Sequence, residues 1–156
     1  MRDFSELYNV APWTSDWAWG IPLIVFTVIF HVYGLGLLYH GAALVLKPDR
    51  KAPPGRVLAT LVIGISALYA IILHGFEALV WAMAYYWLRA LPNRASSILY
   101  SLGSMTTHGN ANLLLHPQWR LMGSLESVDG WILFGLTTAF MFTLFQRVWT
   151  DRWLST

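Results

Sequence analysis

The chain has no cysteine, which excludes disulfides, thiolate metal sites and thiol nucleophiles and leaves its redox compartment unmarked. Charge is also scarce: Asp, Glu, Lys and Arg make up 12% of the residues against 56% hydrophobic, and the mean hydropathy is +0.51. That balance belongs to membrane proteins. There is no nucleotide-binding loop, no metal-ligating His-Glu helix motif and no nucleophile elbow, so no enzymatic activity is expected. The opening MRDFSELYNVAPWTSDWAWG carries Asp3, Glu6 and Asp16 and lacks the basic flank, apolar run and small-residue cleavage site of a signal peptide. The first spanning helix is therefore expected to stay in the mature chain. A net charge of +2 comes from basic residues scattered among apolar runs, which argues against a nucleic-acid partner.

What is present is long apolar stretches. Trp13, Trp17 and Trp19, between Pro12 and Pro22, read as an aromatic anchor at the headgroup level. Residues 20–46 then predict a first transmembrane helix, roughly 40 Å long at about 1.5 Å per residue. The basic, proline-bearing KPDRKAPPGR that follows reads as a cytoplasmic loop. Residues 57–88 predict the second span and 119–149 the third. Between them, residues 93–105 are too short to cross a bilayer and too apolar for an ordinary loop, which predicts a half-length helix re-entering from one side. Residues 106–112 form a polar loop after it. The expected fold is one all-α membrane domain of three transmembrane helices, a re-entrant pore helix and a filter-like loop. Six of the ten basic residues lie in the first loop and the C-terminal tail. That bias predicts an outside N-terminus and a cytoplasmic C-terminus in a bacterial inner membrane.

The residues SLGSMTTHG (101–109), Trp119 and FGLTTA (134–139) together resemble the pore module of potassium channels. A short helix ending in two threonines, one residue and a glycine is that superfamily's filter entrance. More closely, HGFEALVWA and WRLMGSLESVDGWILFGLTTAFMF are similar to small bacterial proteins classed as two-transmembrane-type ion channels, here with an extra N-terminal helix. The resemblance covers about two thirds of the chain. It implies a homotetramer in the bilayer, a permeant monovalent cation (K+ or Na+) with no other cofactor, and a filter at Thr106, Thr107, His108, Gly109, Asn110, Ala111 and Asn112. A ring of four loops is also what physics asks for, since a cation leaving water needs oxygens on all sides.

The loop departs from the family at its second half. Ala111 stands where a second glycine would allow a left-handed backbone, Asn110 replaces a tyrosine and Asn112 an aspartate. The expectation is a weakly selective cation channel; the alternatives are a non-conducting scaffold of channel descent or a haem or quinone protein using His31, His40 and His74. Four imidazoles of His108 at an axis would charge on acidification and repel cations; otherwise the ring is turned behind the filter. Glu126, Asp129 and Glu77, costly inside a membrane, either supply vestibule charge or support the filter, Glu126 by bracing the loop or pairing with Arg94 or Arg120. His74 and Glu77, three apart, are expected to make interhelical hydrogen bonds. Gly130 and Gly135 mark a hinge or close packing. Phe134, Thr138 and Phe142 share a face expected to line the inner pore and gate. Gly34, Gly36 and Gly41 suit the first helix to a peripheral packing role.

Overall fold

A computed structural model describes residues 14–46, 55–109 and 112–153, and side chains as far as Val148. Asn110, Ala111, Trp13 and most of the predicted cytoplasmic loop lie outside the described residues. The elements in order are α1 (Thr14–Val45), α2 (Arg56–Trp87), α3 (Arg94–Met105), a 3-10 turn (Pro117–Trp119) and α4 (Arg120–Trp153). No strand occurs among the described residues. The protein is all-helical, and three helices are long and apolar enough to cross a membrane.

The helix ends follow from local chemistry. α1 begins at Thr14, six residues before the apolar run that predicted it, so Asp16, Trp17, Trp19 and Pro22 lie inside the helix. Helices within membranes accommodate such a proline when neighbouring groups satisfy the freed carbonyl. α2 ends where the Arg89 N–H reaches the Tyr86 carbonyl (3.2 Å) and the Ala90 N–H reaches Tyr85 (2.9 Å). This is a Schellman closure with Arg89 at its left-handed position, φ 53°. Glycine usually takes that place, and a side chain there costs about 1 kcal/mol. α3 starts behind Asn93, whose side chain accepts the Ser96 N–H at 2.8 Å, a cap worth about 1 kcal/mol.

The chain divides into two compact units. Met1–Val28 with Phe76–Ile132 makes the first, which contains α3. Its interior holds Trp81, Tyr85 and Met122, all fully buried, and Gly20 lets α1 close onto Leu125. Ile29–Gly75 with Leu133–Thr156 makes the second. Its core is Ala42, Leu46, Ala59, Val62, Leu144 and Val148, with Phe140 and Ile63 against it. Gly34 sits under Leu73, where a Cβ would lie 2.9 Å from Cδ1; Gly36 and Gly41 meet nothing, so only the first of the three glycines serves packing within this chain.

Candidate pore-loop site and its buried acids

α3 has twelve residues, roughly 18 Å of helix, about half of what a hydrocarbon core demands. What holds so short a helix is a set of buried polar groups. Ser101, fully buried at its middle, lies against the Glu126 Oε1 of α4 and 2.7 Å from the Ala78 carbonyl of α2. The Tyr85 hydroxyl donates to the other oxygen of Glu126 at 2.7 Å. Ser101 has one proton for two acceptors, so the arrangement closes fully only when its partner on α4 also brings a donor. One turn later, Asp129 accepts from the Trp81 indole (2.9 Å) and from the Thr27 hydroxyl of α1 (2.7 Å).

Glu126, Asp129 and Glu77 are all 0% exposed. A carboxylate that lends charge to a watery mouth is open to water; Glu126 and Asp129 sit instead among hydroxyl and indole donors of α1, α2 and α3. Neither arginine weighed as a partner for Glu126 serves it: Arg94 stacks over the Tyr86 ring at 5.0 Å, and Arg120 lines a hollow of about 250 Å³ with the hydroxyl-bearing Tyr100, Ser104, Ser124 and Ser127.

The loop begins as α3 ends. Thr106 caps the helix and its hydroxyl donates back to the Leu102 carbonyl at 2.7 Å, leaving only lone pairs to face outward. The Thr107 N–H returns to the Ser104 carbonyl and the Gly109 N–H to Gly103. Thr107 has φ 56° and Gly109 φ 69°. Glycine takes the left-handed region freely; a β-branched threonine does not, and holding it there costs about 1–2 kcal/mol. Sequence placed backbone strain at Ala111, beyond the described residues, whereas the strained position in view is Thr107. His108 is exposed, as are Thr107, Gly109 and Asn112.

On α4, Thr138 and Phe142 are exposed, and the Thr138 hydroxyl bonds its own helix at the Phe134 carbonyl (2.8 Å). Phe134 is exposed as well (42%), and its ring also stacks on His74 with centroids 4.3 Å apart. Gly130 is a point of close approach: a Cβ there would run into the carbonyl oxygen of Met105, the last residue of α3. Gly135 meets nothing within 4 Å. Packing accounts for the first glycine, and the second remains the candidate hinge.

The histidines correct an expectation. Sequence spacing offered no cross-helix pair, yet His31 of α1 and His74 of α2 lie with ring centroids 4.9 Å apart, tilted by 43°. The Nε2 atoms of both reach one hydroxyl, Thr137 Oγ1, at 2.9 and 3.1 Å. Axial haem ligation by two imidazoles needs them on opposite faces of a macrocycle. Rings that touch each other and share a hydroxyl do not offer that. His74 does make the interhelical hydrogen bond expected of it.

Sequence reasoning missed Asp16, Thr27, Trp81, Tyr85, Ser101 and Thr137. Asp16 carried a usable signal, an acid within a turn or two of a span, but was counted only among the acids of the opening segment. It accepts the Met122 N–H at 3.1 Å, so α1 satisfies one of the unpaired donors at the start of α4. No family model, no curated protein and no solved structure matches the chain.

Proposed function

We propose that the protein is one protomer of a fourfold pore-loop cation channel, with a filter that discriminates weakly among monovalent cations. The observation that carries this reading is a half-length helix, gripped at its buried middle by Glu126 and ending in a polar, left-handed turn at Thr107–Gly109. Its carboxyl end carries about half a negative charge, which favours a cation paused beyond it. Four such ends around an axis would add their fields, and the threonine lone pairs and loop carbonyls would replace water. The exposed Thr138 and Phe142 face of α4 is then the inner pore lining, with Phe142 narrowing it. α1 and the outer face of α2 meet lipid.

Planar-bilayer recording of the purified protein, with potassium, sodium and calcium exchanged, tests the proposal. Currents are expected in potassium and in sodium, with reversal potentials shifting little when one replaces the other. Flat records in all three, from protein that still runs as a tetramer, would leave the non-conducting scaffold as the reading. His108 is exposed next to the loop glycine, and His108→Ala is expected to change the unitary current while leaving the tetramer intact. An unchanged unitary current in His108→Ala would put the imidazole off the ion path.

A further inference from the structure

Two adjoining hollows at the end of α2 share Tyr86 and Trp87. One, of about 400 Å³, is walled by Leu79 and Met83 of α2 and Ile98 of α3, with Arg94 at its rim. The other, of about 720 Å³, is lined by Arg89, Pro92, Leu114 and His116. Neither has an aspartate or glutamate in its lining. The combined cleft has Leu79, Ala82, Met83 and Ile98 with Arg94 in one hollow and Arg89 with His116 in the other, and the tyrosine and tryptophan common to both are rings of the kind that sit at headgroup level. Arg94 is held over Tyr86, and the His116 N–H is tied to the Ala90 carbonyl at 3.0 Å, which fixes its segment against the helix end. Arg89 occupies a left-handed position where glycine would be cheaper, so the cap alone does not call for an arginine.

An occupant must match both the apolar wall and the arginines. A free anion leaves the apolar wall unfilled, and a neutral apolar chain leaves the arginines without a counter-charge. We propose that the cleft binds one anionic phospholipid, its acyl chain along Leu79, Met83 and Ile98 and its phosphate between Arg89 and Arg94. This assignment is independent of whether the protein conducts.

Native mass spectrometry of the full-length protein, with phosphatidylglycerol and phosphatidylcholine offered in equal amounts, reads the preference directly. The wild type is expected to retain phosphatidylglycerol about tenfold over phosphatidylcholine. Arg89→Gly and Arg94→Gln are each expected to lower that ratio about fivefold. Arg89→Gly is informative because glycine suits the cap: its thermal stability in lipid-free detergent stays at or above that of the wild type, so a lost preference is not lost folding. Equal retention of the two lipids by the wild type, or an unchanged ratio in both variants, overturns the assignment. So does an efficient disulfide between copies from Ile98→Cys, introduced into a chain with no other cysteine, because it would put a second protomer in the cleft.

Discussion

Gly130→Ala is expected to lower the unfolding temperature of the solubilised protein by roughly 6–12 °C and to abolish the current carried by the wild type. The added methyl would meet the Met105 carbonyl oxygen, with the carbonyl carbon at 2.9 Å and Cα at 3.1 Å. These are backbone atoms at the end of α3, so no side chain can swing aside to make room. Overpacking of this kind costs about 3 kcal/mol at its upper end. At about 2–4 °C per kcal/mol for a chain of this size, the stated fall follows. The helix end that moves is the one from which Thr106 and Thr107 issue, so the loop shifts with it. Gly135→Ala is the matched control: its methyl meets nothing, and alanine is the better helix former by about 1 kcal/mol. Its thermal stability should equal or exceed the wild type's, and a change in current alone would then mark a hinge. Unfolding temperatures that fall equally in the two variants would refute the close-approach argument.

Glu126→Ala is expected to be at least as damaging, and Glu126→Gln close to neutral. Removing the carboxyl leaves the buried Tyr85 hydroxyl without its acceptor, at about 1–3 kcal/mol, and opens a void beside it and Ser101, whose proton still has the Ala78 carbonyl. Glutamine keeps the shape and brings both an acceptor for Tyr85 and a donor for Ser101, leaving the serine proton for the Ala78 carbonyl. Thermal unfolding, together with proteolysis at the 106–112 loop, separates the cases: rapid cleavage there in Glu126→Ala and slow cleavage in Glu126→Gln. A Glu126→Gln protein as unstable as Glu126→Ala would show that the negative charge itself is required.

The helices were readable because apolar runs of sufficient length admit few alternatives in lipid, and α3 because residues 93–105 are too short to span and too apolar for an ordinary loop. The start of α1 was misread for a physical reason. Thr14, Ser15 and Asp16 look like aqueous residues until Met122 supplies the N–H that makes Asp16 tolerable inside. The supporting site was half readable: a glutamate and an aspartate three residues apart in a span announce a polar partner, but nothing local names Ser101, Tyr85 or Trp81. The Trp81–Asp129 bond crosses 48 residues and the His31–Thr137 bond 106, so periodicity is silent on both. Helical spacing put Phe134 on one face with Thr138, and both are exposed; that His74 of another helix stacks on the Phe134 ring is not something spacing can announce.

The bonds from α1 to α4 bear on the order in which the protein can be made. Asp16, Thr27 and His31 find their partners Met122, Asp129 and Thr137 more than a hundred residues later. During synthesis α1 therefore leaves the ribosome before these partners exist, the Thr27 hydroxyl resting meanwhile on the Leu23 and Ile24 carbonyls of its own helix. Until α4 is complete, water, lipid headgroups or the insertion machinery must serve the other two. A ribosome-bound chain truncated before residue 122 should thus be more protease-sensitive near Asp16 than the full chain. Completion of the last helix is the step that closes these bonds between α1 and α4.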